Sequence, residues 1–190
     1  GGYIGAVLSA VIADKGAEVT VIDINQRIID CYKKGISPVE EPGLNELIKK
    51  GVMAGNLKAT NEYFEIKNSD VVLITVGTPL NDDGTANKLA IKSAVNSIKE
   101  FVIDGQLIIV KSTVPPFTTQ NDVAIPLRKK AKVHVAFCPE RLAEGNAIFE
   151  CKNIPVVIGG VDEESNKKAK RFWEESLGVT CILLSNSRSA

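Results

Sequence analysis

The residues with the clearest chemical potential stand in short clusters between apolar runs. The first cluster is GGYIGAVLSA at residues 1–10. A G-x-G-x-x-G turn between a strand and a helix lets backbone approach a pyrophosphate and aims a helix N-terminus at it. Gly2 and Gly5 fit the second and third glycines of that pattern, with Gly1 at the intervening position. At Gly2 the missing Cβ would admit the phosphates, and Gly5 would let the helix pack closely on a strand. Alone, G-x-x-G fits any tight turn. Asp23 adds to it, because an acidic side chain about twenty residues on, at the end of the second strand, suits the ribose hydroxyls of NAD and repels a 2′-phosphate. Asp23 also fits a plain N-cap for the helix that follows.

Later clusters have the same layout. VGTPL (76–80), KSTVPP (111–116) and CPERLAEGNA (138–147) each follow an apolar run. They place hydroxyls, a lysine and carboxylates where strands end. The elements needed to position them can be read from periodicity. EVTVID (18–23), DVVLITV (70–76), QLIIVKS (106–112), KVHVAFC (132–138), IPVVIGG (154–160) and VTCILL (179–184) have strand character. Helical segments alternate with them: Gly5 to Lys15, 25–34, a helix begun by Pro42, Asn87 to Val102, 118–130 interrupted by Pro126, and one capped by Asp162. Such alternation predicts a parallel sheet covered by helices on both faces, with ligands beyond the carboxyl ends of the strands.

Composition bounds the function. The 190 residues are 44% hydrophobic and 24% charged, with 23 basic and 23 acidic side chains. No basic stripe points to nucleic acid or an anionic membrane. No apolar run is long enough to span a bilayer and no leader is evident, so the expected location is cytoplasmic. Cys31, Cys138, Cys151 and Cys181 show no CxxC spacing, so they read as reduced thiols and no metal site is expected. His134, the one histidine, lies within a strand and reads as a packed or surface side chain.

Taken together, GYIG (2–5), VIDIN (21–25), SPVEEPGL (37–44), VGTPL, KSTVPP and CPERLAEGNA resemble the UDP-glucose/GDP-mannose dehydrogenase family of nucleotide-sugar 6-dehydrogenases. The resemblance runs the length of the chain. Pro139-Glu140-Arg141, where UDP-glucose enzymes show P-E-F, resembles the branch acting on N-acetylated or mannose-type sugars, and SNSRSA (185–190) agrees. The resemblance implies oxidation of a sugar CH2OH to a carboxylate with two NAD. An aldehyde is captured by a cysteine thiolate, oxidised to a thioester and hydrolysed. The implied substrate is UDP-N-acetyl-D-mannosamine, with UDP-glucose as the alternative.

By the same resemblance, Tyr3 and Ile4 lie along the pyrophosphate between Gly2 and Gly5. Asp23 binds the adenosine ribose, and Arg27 adds a contact on the adenine side. Thr78 and Thr113 touch the cofactor, Thr113 close to the reacting centre. Glu140 readies the hydrolytic water, Glu144 sits by the nicotinamide end, and Arg141 and Leu142, with Glu140, contact the sugar nucleotide. Glu140 and Glu144 also fit solvated residues at a helix start. Thr78 and Thr113 fit ordinary strand ends, and Arg141 fits a pair with a neighbouring acid. Two positions depart from the family. Phe117 stands where a glycine is usual, which questions the local backbone geometry. Asn87 stands for an aspartate and can still cap a helix.

In a Rossmann sheet of order 3-2-1-4-5-6 the first strand lies in the middle and would precede Gly1. The expectation is a Rossmann-type doubly wound parallel sheet whose first strand is missing from the chain, and which therefore does not close. Residues 1–190 then read as an N-terminal NAD-binding domain cut at both ends. The nucleophilic cysteine, the UDP-binding domain and the central helix, on which family members commonly dimerise, are expected beyond Ala190, so the homodimer surface is expected to be incomplete and this chain by itself is not expected to turn over. A β-hydroxyacid dehydrogenase and a non-catalytic NAD-binding module remain alternatives.

Overall fold

Helices and strands alternate from the first turn onward in the computed structural model, which describes residues 1–188. The order is α1 (Tyr3–Asp14), β1 (Val19–Ile22), α2 (Gln26–Lys33), α3 (Leu44–Ala54), β2 (Leu57–Thr60), β3 (Val71–Ile74) and α4 (Leu89–Ile98). Then come β4 (Leu107–Val110), α5 (Ile125–Arg128), β5 (His134–Phe137), α6 (Ala147–Asn153), β6 (Val156–Gly160), α7 (Glu163–Leu177) and β7 (Cys181–Leu183). The chain divides into two compact units. The first holds Gly1–Glu62, Arg141–Ile154 and Glu174–Val179; the second holds Tyr63–Glu140, Pro155–Trp173 and the residues from Thr180 on.

In the first unit, α1 is apolar on every side, and Ala6 through Ala13 are all buried. Such a helix must be covered all round. α3, α6 and β1 pack against it. α2 contributes Ile29 and Tyr32 to the same core, and the Tyr32 hydroxyl pairs with Ser9 Oγ at 3.0 Å. β1 and β2 form a two-stranded parallel sheet from Val19↔Leu57 to Ile22↔Thr60.

In the second unit, β4 is the central strand, and Leu107 to Val110 are all buried. Each such side chain contributes about 1.5–3 kcal/mol on leaving water. Flanking β3 and β5 are parallel to β4 in flush register, ending at Ile74↔Val110 and Val110↔Phe137. Thus the segments after the three strands emerge along one edge. Ile91, Val95 and Ile98 of α4, Leu127 of α5 and Trp173 of α7 are buried in this unit.

The fold is α/β with mostly parallel ladders, and the strands form two sheets, β1-β2 and β3-β4-β5-β6-β7, with no ladder joining them among the described residues, as expected of a sheet that does not close. Two details differ. β6 pairs with β5 antiparallel, through Ala136↔Gly160 and Phe137↔Gly159. A parallel neighbour needs a crossover laid along the sheet. Here the 138–155 connection carries only α6, which belongs to the first unit, so the chain returns at the same end. β2 has no counterpart in the periodicity reading, because LKAT carries too few apolar residues to signal a strand. Smaller shifts are local. Gly43 is the N-cap of α3 with φ 78°, so Pro42 precedes the helix. Before Pro126 the helix winds as a π-helix over Thr119–Ala124, then tightens into α5. The wider turn absorbs the hydrogen bond that proline cannot donate.

Gly160, the last residue of β6, has no room for a side chain. A Cβ there would lie 2.6 Å from the Asn166 backbone nitrogen and 2.7 Å from the Asp162 carbonyl oxygen. Replacing it, Gly160→Ala, is expected to destabilise the protein by about 1–3 kcal/mol. A lowered urea midpoint at unchanged slope is the check.

Candidate functional site

The first unit places the glycine turn and the acidic residue together. Gly2 is the N-cap of α1 and makes no side-chain cap. The first amides of a helix have no acceptor within it. The amides of Tyr3, Ile4 and Gly5 therefore form the positive end of α1, a fit for phosphate. A Cβ at Gly2 would meet no protein atom within 4 Å. The backbone there is extended at φ −68°. Neither packing nor conformation of the chain demands a glycine, so the open space in front of Gly2 is a cradle that a side chain would fill. Gly1 is the opposite case, since a Cβ would come within 2.6 Å of Ile28 Cγ2 and 3.0 Å of Asp23 Oδ2.

Asp23 follows β1. Its Oδ1 accepts from the Asn25 amide at 2.8 Å. Asn25, not Asp23, caps α2, accepting from the Arg27 amide at 3.0 Å. The carboxylate lies beside Gly1, and the Arg27 side chain is exposed at the start of α2. These residues suit a dinucleotide: helix amides and an open glycine for the pyrophosphate, a carboxylate for the ribose.

Glu41 was not singled out by the sequence reading, yet it ties this unit together. The Tyr3 hydroxyl donates to Glu41 Oε2. The same oxygen accepts from the Gly145 amide at 2.7 Å, and Oε1 accepts from the Ala147 amide at 2.8 Å. One carboxylate thus fastens the segment bearing Arg141, Leu142 and Glu144 to the first residue of α1. Burial alone would raise the Glu41 pKa, but hydrogen bonds from Tyr3, Gly145, Ala147 and Ile148 outweigh it and hold it below 4.5. Burial and the Glu41 bond push the Tyr3 phenol up to about 12. The hint in sequence was the pair of acids, Glu40 and Glu41, inside SPVEEPGL.

In the second unit, Thr78 and Thr113 leave β3 and β4 side by side, and Thr78 Oγ1 donates to the Thr113 carbonyl at 2.6 Å. Ser112 Oγ donates to the Val76 carbonyl at 2.6 Å. Glu140 follows β5 on the same edge, and its Oε2 lies 3.2 Å from Lys111 Nζ. Cys138 is fully buried, and burial drives its thiol up to about 12 against the nearby Lys111 charge and a bond from Trp173 Nε1. His134 opens β5 at the opposite end of the strand, half-buried. Burial, then the Lys168 charge, lowers its pKa.

The two family departures resolve differently. Phe117 has φ 70°, and among the described residues no other non-glycine is left-handed. The turn keeps the shape a glycine would take, at a cost of about 1–2 kcal/mol. The Arg188 guanidinium stacks 5.3 Å from the Phe117 ring. Asn87 accepts from the Leu89 amide at 2.9 Å and so still serves the start of α4.

A glycine-led helix and a carboxylate after β1, on an α/β frame, define a Rossmann-type dinucleotide-binding domain. Residues 1–177 match the NAD binding domain of the UDP-glucose/GDP-mannose dehydrogenase family, and the chain belongs to that family. It is 35% identical over 177 residues to UDP-N-acetyl-D-mannosamine dehydrogenase of Methanococcus maripaludis, covering 91% of this chain and 40% of that protein. It is 38% identical over 186 residues to GDP-mannose 6-dehydrogenase of Pseudomonas syringae, covering 92% of this chain and 42% of that one. The structure of UDP-N-acetyl-mannosamine dehydrogenase from Staphylococcus aureus superposes with a TM-score of 0.93 at 32% identity, over 100% of this chain and 47% of that chain. The chain therefore spans under half the length of these relatives. Among the described residues, no helix is long and apolar enough to cross a membrane.

The Glu41 knot carries a pH signature. A depressed carboxylate contributes stability above its ordinary value of 4.5 and loses it as pH falls through the lower folded value. The raised phenol contributes below 10 and loses it as pH rises through about 12. Glu41→Gln is expected to be less stable than the parent at pH 7. That gap should close in urea titrations run progressively below pH 4.5.

Proposed function

We propose that this chain is the cofactor-binding part of an NAD-dependent nucleotide-sugar 6-dehydrogenase, acting on UDP-N-acetyl-D-mannosamine to give the uronic acid. The carrying observation is the flush carboxyl edge of β3, β4 and β5, which presents Thr78, Thr113 and Glu140, on a chain of this family. NAD supplies hydride acceptance when bound. Gly2, Tyr3, Ile4 and Gly5 receive the pyrophosphate through α1, Asp23 takes the ribose hydroxyls, and Arg27 the adenine side. Thr78 and Thr113 align the nicotinamide part, with Glu144 at that end. Arg141 and Leu142 contact the sugar nucleotide; a guanidinium fork suits its phosphates and acetamide. Glu140 takes a proton from the water that hydrolyses the thioester formed on a cysteine of the full-length protein. That protein is proposed to work as a homodimer.

The sugar choice rests on Arg141 following Pro139-Glu140 and on the names of the relatives in Methanococcus and Staphylococcus. The full-length protein is expected to form two NADH per UDP-N-acetyl-D-mannosamine, and to use UDP-glucose and GDP-mannose poorly. NADH counted by absorbance with each sugar is the check. No NADH from any of the three would end the proposal.

Cofactor binding has its own test. Gly2→Ala adds a methyl where no protein atom stands, so the melting temperature should move little. NAD affinity should fall about 10-fold or more, because the methyl occupies the pyrophosphate cradle. Calorimetric titration with NAD reads it.

A further inference from the structure

Lys111 is the first residue after β4, and it is 5% exposed. Its ammonium lies 3.2 Å from Glu140 Oε2, donates to the Pro139 carbonyl at 3.3 Å, and sits 5.3 Å from the centre of the Trp173 ring. Trp173 is itself 1% exposed, on α7. A buried ion pair is weak evidence of stabilisation, since apolar residues of similar volume often serve as well. Burying a lysine here calls for another reason. Two of the three contacts supply one: they tie Lys111 to the backbone of Pro139 and to the carboxylate of Glu140. The aromatic ring and the carbonyl hold the cation from other sides, so it cannot follow Glu140 outward. Strand register adds to this. Val110 is paired with Phe137, so the residue after β4 is delivered beside the segment after β5.

We propose that Lys111 is the positioning residue for Glu140 in the hydrolytic half of the reaction. The proposal rests on the dehydrogenase reading above. In that step a water oxygen attacks the thioester carbonyl. One water proton passes to Glu140, the C–S bond breaks, and the thiolate leaves with the bonding pair. The carboxylate must face the water at the moment of attack, and Lys111 holds it there. Both hydride transfers precede this step, so neither depends on Lys111.

The experiment uses the full-length protein with NAD and UDP-N-acetyl-D-mannosamine, comparing the first rapid burst of NADH with steady turnover. Lys111→Met is expected to keep a burst of two NADH per subunit at the parent's rate. Its steady turnover should fall about 10- to 100-fold, the usual cost of a misplaced catalytic group. Glu140→Gln should show the same pattern, and the double variant should be no slower than Glu140→Gln alone. If Lys111→Met does not fold, because it strands the Glu140 charge, Lys111→Arg is read instead. It should show an unchanged burst and a smaller drop in turnover. Normal turnover in the variant, a burst that falls together with turnover, or effects that multiply in the double variant would overturn the role of Lys111 alone. No NADH from the unaltered protein overturns the dehydrogenase reading and this role with it.

Discussion

Ile74, Val110 and Phe137 lie opposite one another across β3, β4 and β5, and each is the last residue of its strand. Parallel strands can end level only if the connections bring the chain back to the far end each time. Once they do, everything after the strands is delivered to a single edge. Thr78 reaches the Thr113 carbonyl, Ser112 reaches Val76, and Lys111 reaches Glu140 because of this register. A slip of one residue would turn each of these side chains to the other face. The fully buried LIIV of β4 resists such a slip, since it would have to rebuild packing on both sides.

The first unit solves a different problem with a carboxylate. α1 is covered on all sides, so its N-terminus cannot move without disturbing a core that runs from Ala6 to Ala13. That rigidity suits the proposed placement of the helix end against phosphate. Glu41 then binds Tyr3 and the amides of Gly145 and Ala147, joining three segments far apart in sequence. A charged acceptor makes stronger hydrogen bonds than a neutral one. The 141–146 segment lies ahead of the short α6, and its placement depends on this anchor.

Local rules are broken at two points, and both lie just beyond β4. Phe117 occupies backbone that favours glycine, and Lys111 is an ammonium in a buried setting. Neither helps the fold in an obvious way. Strain and buried charge gather where the surrounding structure is rigid enough to hold them, which is commonly at sites of function. Lys111 meets Glu140 and Trp173, and the Arg188 guanidinium stacks on the Phe117 ring.

The sequence by itself determined the α/β alternation, the glycine turn, the acid after β1 and the residues at each strand end. Those follow from local chemistry: apolar runs, glycines, caps, and the family pattern they spell. Tertiary structure alone decided that β6 runs back along β5, that LKAT is a strand, that Phe117 keeps a glycine's conformation, that Glu41 meets the amides of Gly145 and Ala147, and that Lys111 meets Glu140. LKAT becomes β2 only because β1 offers it a ladder. Glu41 and Lys111 look like ordinary charged residues in a string of letters. Their meaning comes from partners 28 to 106 positions away, and no local pattern encodes which charges meet once the chain has folded.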